Sequence, residues 1–269
     1  MKIVEYFTPT TVFLSFFHLI PLTAFFLHIS FTDWIVCIVL YFSRIFFIGA
    51  GYHRYFAHRT FKTSRIFQFI LAFFSQTAMQ GGVVWWAANH RKHHMHSDSE
   101  KDIHSPKQKG LFFSHMGWLM EGTESKTDEK YVKDLTRYPE LLFLDKYHML
   151  PGILLATLLY LIGGFSMLII GYFLSTLLVF HGTWTINSLM HIWGSRRYKT
   201  KDTSRNNIVL ALVTLGEGWH NNHHYYQNST KQGFFWWEID ITYYMLKILS
   251  VFRIIWKLNP VPKEIRNNY

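Results

Sequence analysis

Cysteine and fixed charge are the scarce components of this chain. A single cysteine, Cys37, occurs in 269 residues, inside the apolar run 34–40. A disulfide framework, a cysteine-rich zinc site and a thiolate-held iron–sulfur cluster are therefore excluded, and any metal chemistry must use nitrogen and oxygen ligands. Lys, Arg, Asp and Glu make up only 16% of the residues and hydrophobic ones 49%, against roughly 25% charged in a typical soluble protein. A disordered chain and an average soluble enzyme are both disfavoured. In surplus are apolar length, a formal net charge of +10 and histidine, of which there are 16.

The apolar length is arranged as spans. Residues 6–32 carry no Lys, Arg, Asp or Glu, and residues 34–51 carry only Arg44. Each run reaches the roughly 20 residues that cross a bilayer. Residues 147–195, 49 in all, are again free of fixed charge, with Gly163-Gly164 near the point where two helices would join. The expected architecture is an all-α integral membrane protein with four transmembrane helices in two hairpins, at about 8–29, 33–51, 148–163 and 165–187. The first is read as a retained span, because no small-residue cleavage site follows its apolar core.

The basic residues orient these spans. Of the 27 Lys and Arg residues, Lys2 precedes the first span, Arg44 lies within the second, 14 fall between Arg54 and Lys146, and 11 between Arg196 and Arg266. By the positive-inside rule both hairpins enter from the cytoplasm, leaving the termini and a cytosolic helical cap, 52–147 and 188–269, on that side of one domain covering 1–269. Charge partitioned around apolar spans is not one basic face, so a nucleic-acid partner is not expected. Residues 66–90 lack fixed charge but are interrupted by Gln68, Gln76, Gln80 and Gly81-Gly82. A crossing there would separate the histidines before it from those after it, so an interfacial helix is expected instead. Residues 234–256 mix Trp, Phe and Ile with Glu238, Asp240, Lys247 and Arg253, the pattern of a surface amphipathic helix.

Nine histidines form four groups: His53 and His58; His90, His93 and His94; His191; His220, His223 and His224. Residues three and four apart share a helical face, so each His-x-x-His-His should aim three imidazoles at one point. Asn187 and His191 are likewise four apart. His53 and His58 are five apart, off one α-helical face, so the helix should end or bend near Tyr55-Phe56, or the pair should straddle a cavity. Nine imidazoles exceed what one ion uses, and two metals with an open position are the economical count. Iron, copper, zinc and nickel all suit imidazole. Single histidines in apolar runs are ordinarily packed or interfacial, the role expected for His18, His28, His148 and His181. His96, His104 and His115 are expected at the surface or in support of the second group.

At these residues the chain resembles the membrane fatty acid desaturases of the acyl-CoA Δ9, stearoyl-CoA desaturase-like, type, over about residues 51–237. The boxes are His53-Arg54-Tyr55-Phe56-Ala57-His58, His90-Arg91-Lys92-His93-His94 and His220-Asn221-Asn222-His223-His224, the last preceded by Gly216-Glu217-Gly218. Asn187-Ser188-Leu189-Met190-His191 matches the extra metal motif. Ser97-Asp98, His104-Ser105-Pro106, Phe112-Phe113-Ser114-His115-Met116-Gly117-Trp118 and Thr183-Trp184 agree as flanks.

The resemblance implies a four-span mushroom whose cap holds two iron ions on the nine histidines, with Asn187 reaching one iron through water. It also implies a kinked acyl tunnel at Gln80, Trp86 and Thr183, with Trp184 beside them, and no catalytic residue beyond the metal ligands. The implied reaction is O2-dependent insertion of a cis double bond, Δ9 in the first place, into a long saturated acyl chain. Animal members place Arg-Asp before the second box to contact coenzyme A, where this chain has Ala88-Asn89, so the carrier is left as coenzyme A or a membrane lipid. No haem-binding extension follows the boxes, which implies a separate donor, ferredoxin or cytochrome b5 with its reductase. Two alternatives stand beside this reading. One is a hydroxylase or monooxygenase of the wider histidine-box superfamily. The other is a His-rich metal transporter, which should carry its ligands at mid-span, whereas here they lie at or beyond the span ends.

Overall fold

A computed structural model describes residues 8–121 and 127–268. The N-terminal stretch with Lys2 lies outside the described residues. The described residues are mostly helical, with a short two-stranded antiparallel pairing of Lys62–Thr63 with Ile255–Trp256 and isolated bridges of Asn206 with Ser195 and Trp219. Helix α1 (Pro9–Leu19) starts where the Thr8 side chain accepts the Thr11 N–H, and continues as a 3-10 turn over Ile20–Phe26. Helix α2 (Phe31–Phe47) starts at a reciprocal cap between Ser30 and Asp33 and runs on without a break as a π-helix, Ile48–Ala57. Such caps satisfy N–H groups that the first helical turn leaves without partners.

Among the described residues, three helical stretches are long and apolar enough to cross a membrane: Pro9–Phe26, Phe31–Ala57 and Leu150–His191. The third contains α6 (Leu150–Ser166), a π-helical segment (Met167–Leu174) and α7 (Ser175–Asn187). It breaks at Gly163 (φ −132°, ψ 15°) and Gly164 (φ 63°, ψ −154°). The Gly164 conformation is one that only glycine adopts without strain. Beyond the break the two arms pack on each other through Leu159, Met167 and Tyr172. Large apolar side chains such as Phe25, Phe26, Phe31 and Leu161 stand exposed on these stretches. Arg44 is buried, its guanidinium donating to Thr176 Oγ1 at 2.6 Å, to the Leu40 carbonyl at 3.0 Å and to Ser175 Oγ.

Two expectations are corrected here. Residues 66–90 do not form one helix. Helix α3 (Arg65–Gln76) ends before the turns around Thr77–Gly82, and α4 (Val83–His96) begins anew. The new start is anchored by Asp145, just before the end of α5 (Pro139–Lys146), which accepts the N–H groups of Val84 and Trp85. Within residues 234–256, the helix is confined to α10 (Ile241–Val251). Glu238 and Asp240, expected on a surface helix, are buried because each answers a cation: Glu238 pairs with Arg197, and Asp240 with Arg54 at 2.9 Å. The short helices α8 (Ile208–Val213) and α9 (His220–Tyr225) complete the part of the chain that carries the histidines. Tyr52, Phe56, Leu71, Val84, Leu141 and Leu144 form the apolar core beside them.

Candidate metal centre

The π-helix solves the spacing of the first histidine pair. Its hydrogen bonds reach five residues back, and the His58 N–H donates to the His53 carbonyl at 3.1 Å. Residues five apart therefore fall on one face, and the two ring centroids stand 4.9 Å apart. The π-helix passes through Tyr55-Phe56 and ends at Ala57, close to where the spacing placed its end. Local π-helical winding is a recurrent feature of functional sites.

All nine grouped histidines converge, but not triplet by triplet. His53, His58, His90, His94 and His223 form one group and His93, His191, His220 and His224 another, the ring nitrogens within each lying within 4.8 Å of one another. The i, i+4 pairs His90/His94 and His220/His224 stay together, with centroids 4.6 and 4.2 Å apart, while His93 and His223 cross to the opposite group. In the five-histidine group the Nε2 atoms face one another: His53 to His223 at 3.0 Å, His58 to His90 at 2.9 Å, His94 to His90 and to His223 at 3.0 Å. In the other, Nε2 of His220 and His191 are 3.2 Å apart.

Carboxylates fix which nitrogen points inward. Nδ1 of His93 lies 2.9 Å from Asp102, that of His224 2.8 Å from Asp202 and that of His191 3.3 Å from Asp98, and Nδ1 of His53 contacts Glu217. An Nδ1–H donated to a carboxylate leaves the Nε2 lone pair free for a metal, the usual support of a ligating imidazole. His224 Nε2 is buried with no hydrogen-bond partner among the described residues. A neutral nitrogen with its lone pair aimed at its neighbours and no proton to receive fits a bound cation and little else.

The electrostatics favour the same state. Burial first, and then neighbouring imidazoles, hold His58, His90, His94, His220 and His223 well below the ordinary histidine range. Burial brings His224 down to about 4 despite the opposing pull of Asp202. These rings are neutral and able to coordinate near pH 7. Burial would raise the carboxyls behind them, but hydrogen bonds from His191, Thr203 and Ser105 hold Asp98 far below the usual range, and those from His224 and Ser204 do so for Asp202. Against the same burial effect, His53 and Arg54 bring Glu217 down to about 2. The arrangement can hold two cations, one on five nitrogens and one on four.

A cavity of about 620 Å³ runs up to this centre, and Gln80, Trp86, Thr183, Trp184, Asn187 and His90 line it. Gln80 Nε2 donates to Thr183 Oγ1 at 3.0 Å. The Trp86 ring is stacked between Tyr52 and His90, with centroids 5.1 and 4.8 Å away. All four expected tunnel residues thus share one wall system.

Sequence reasoning missed the roles of four carboxylates. Asp98 and Glu217 stood in the flanking motifs, but Asp102 and Asp202 carried no signal beyond lying near a box. His104 is buried against His93, with centroids 4.3 Å apart. His18 and His181, expected as separate packed rings, join His115 in a chain: His18 Nε2 to His181 Nε2 at 3.2 Å, His181 Nδ1 to His115 Nε2 at 3.0 Å. His115 Nδ1 ends the chain on Ser188 Oγ at 2.9 Å.

Comparison with known proteins agrees with the geometry. Residues 29–248 match the family described as fatty acid desaturase. The chain is 37% identical over 222 residues to the sn-2 palmitoyl-lipid 9-desaturase of Nostoc sp. (strain 36), covering 81% of this chain and 78% of that protein. It is 36% identical over 241 residues to the acyl-CoA C20 Delta5-desaturase of Anemone leveillei, covering 86% and 74%. With the Delta-9 desaturase-like 5 protein of Arabidopsis thaliana it shares 40% over 231 residues, covering 85% and 77%.

Proposed function

Because the chain belongs to the fatty acid desaturase family and is thereby an oxidoreductase acting on fatty acyl chains, we propose that it is an O2-dependent di-iron enzyme introducing a cis double bond, Δ9 in the first place, into a long saturated acyl chain. The observation that carries this reading is the division of nine inward-facing imidazoles into groups of five and four beside one apolar cavity. His53, His58, His90, His94 and His223 would hold one iron, and His93, His191, His220 and His224 the other, with Asn187 reaching one of them through water. Bound there, the iron pair supplies O2 activation, so that –CH2–CH2–, O2, two electrons and two protons become –CH=CH– and two waters.

The remaining work belongs to the protein's own residues. Asp98, Asp102, Asp202 and Glu217 keep the imidazole Nδ1 protons outward and the lone pairs inward. Gln80 and Thr183, tied to each other, and Trp86, stacked on His90, shape the cavity beside the centre. A saturated chain has no polar handle along its length, so cavity shape selects the bond, each misplaced methylene being worth about 0.8 kcal/mol of burial.

The reading includes four spans in two hairpins entered from the cytoplasm, with the termini and the cap, 52–147 and 188–269, on that side of a single desaturase domain. Its support is length and charge. The 42 residues of Leu150–His191, at about 1.5 Å each, would extend to roughly twice the thickness of a bilayer core of about 30 Å, and they divide at Gly163-Gly164. Electrons come from a separate donor, ferredoxin or cytochrome b5 with its reductase.

Expression in a host lacking Δ9 unsaturation tests the function. Mass spectrometry should find a new cis-monounsaturated chain, absent with His93→Ala. A product that gains oxygen in place of losing two hydrogens would make the enzyme a hydroxylase, and an unchanged lipid profile would contradict the reading.

A further inference from the structure

The cavity beside the histidines has a floor as well as a reacting end. Along α7, Asn187, Thr183 and Phe180 line it in turn, a descent of about 10 Å at about 1.5 Å per residue from the metal centre into the apolar stretch. Leu14 lines it from α1, beyond Pro9 and Thr10. Met79 joins these two. It is buried, lines the cavity and belongs to one apolar cluster with Leu14 and Phe180. Phe17 and Tyr172 of the same cluster stand behind them. Leu14, Met79 and Phe180 thus form the membrane-ward end of the space that begins at the imidazoles.

Met79 is held there by an unusual backbone and a fitted socket. Its φ is 58°, in the left-handed region that residues with a side chain ordinarily avoid. The turn is pinned on both sides: the Met79 N–H donates to the Gln76 carbonyl at 3.0 Å, and the Gln76 side chain donates to the Leu144 carbonyl at 2.9 Å and accepts the Val83 N–H at 3.0 Å. Such a conformation persists where the surroundings over-determine it, and such sites cluster at ligand clamps. The Met79 side chain reaches α6 at Gly152. A Cβ on Gly152 would lie 2.0 Å from Met79 Sδ and 3.0 Å from its Cγ, with the Tyr172 hydroxyl at 2.9 Å. The φ of Gly152 is not positive, so its backbone does not call for glycine. The missing side chain is the room that the thioether fills. Because the thioether ends a flexible chain, a side chain at position 152 would move Met79 and not the helix. The open side is the cavity.

We propose, resting on the desaturase reading, that Met79 seated in the Gly152 socket sets the depth of the cavity and so the length of acyl chain accepted between the reacting bond and the methyl end. Met79 is the specificity-determining residue and Gly152 positions it. A chain that stops short of the floor leaves apolar wall unfilled, and one too long cannot bury its last methylenes, each worth about fourfold in kcat/KM.

Expression of the full-length protein in a host lacking Δ9 unsaturation, fed in parallel with myristic, palmitic, stearic and arachidic acids, reads the length profile whichever carrier the host attaches. In Gly152→Ala, which pushes Met79 into the cavity, the ratio of stearic to palmitic conversion should fall at least about tenfold, two methylenes at about fourfold each. In Met79→Ala, which deepens the floor, the profile should move toward arachidic acid. In the double variant Gly152→Ala/Met79→Ala the fall should vanish, because no thioether is left to displace. A loss in equal proportion at every length, or a fall that persists in the double variant, overturns the proposal and leaves the desaturase reading standing. Conversion of no fatty acid by the unsubstituted protein contradicts that reading, and binding then judges the socket. Saturated fatty acids should raise the melting temperature of metal-free protein, with the best length shorter for Gly152→Ala and longer for Met79→Ala. No rise, or one best length for all three proteins, overturns the proposal without reference to turnover. If Gly152→Ala does not fold, Met79→Ala against the unsubstituted protein decides, and an unmoved profile overturns the proposal.

Discussion

Among the described residues, the five-histidine group is backed by one carboxylate and the four-histidine group by three. Glu217, behind His53, is already answered by Arg54, whose guanidinium also holds Asp240. Asp98, Asp102 and Asp202, behind His191, His93 and His224, are steadied by hydroxyls and backbone N–H groups, among them Ser105 Oγ, Thr203 Oγ1 and Ser204 Oγ. A cation on five nitrogens would thus sit against a net single negative charge, since Arg54 answers only one of Glu217 and Asp240, and one on four would sit against three. The difference teaches that ligand number and charge compensate each other: where an imidazole is fewer, carboxylates raise the basicity of those that remain.

The largest expected effects come from the ligands. His94→Ala removes one nitrogen of five and His220→Ala one of four, and each should lower desaturation by well over the roughly 100-fold expected of a supporting residue. If either variant kept substantial activity in an assay with reductant in excess, its ring could not be a ligand. Next come the supporting carboxylates. Asp202→Asn should cost about 10–100-fold in metal affinity, measured by chelator competition, and only at the four-histidine group. Glu217→Gln should do less to affinity and more to folding, because it leaves Arg54 buried with Asp240 alone, a loss of about 3 kcal/mol read as a lowered melting temperature. Equal effects of the two changes on affinity would erase the contrast between the groups.

A smaller effect separates metal-free from metal-loaded protein. The buried rings resist protonation, whereas in the unfolded chain each titrates near about 6.5. Between there and about 4, the value of His224 in the fold, the unfolded state binds more protons, so stability falls as pH falls. Metal-free protein should melt several degrees lower at pH 5 than at pH 7.5, and metal, which binds the unprotonated rings of the folded state, should raise the melting temperature at pH 7.5 and raise it less at pH 5. No rise with metal at pH 7.5 would mean that the imidazoles do not hold the metal.

Much of this was legible in the sequence. Residue spacing singled out all nine converging histidines, and the Gly163-Gly164 break lies where the charge-free run suggested it. Their division into groups was not legible, because equal helical spacing hides a rotation. On an α-helix, residues four apart differ by about 40°, while adjacent ones differ by about 100°. His90 and His94 therefore share a direction, and His93 turns away toward the other group. The His53/His58 pair was legible only as a puzzle, since a five-residue period becomes a face only when the backbone winds as a π-helix. Asp102 and Asp202 reach their imidazoles from loops, where no period marks them, and the burial of Asp240 depends on a partner, Arg54, 186 residues away.

The central claim is that each group holds one metal, and counting metal per chain tests it most directly. Purified protein should carry two irons by elemental analysis. The double variant His220→Ala/His224→Ala should carry one, and adding His94→Ala and His223→Ala should leave none. A single iron in the unsubstituted protein, or two retained by the His220/His224 variant, would contradict the account.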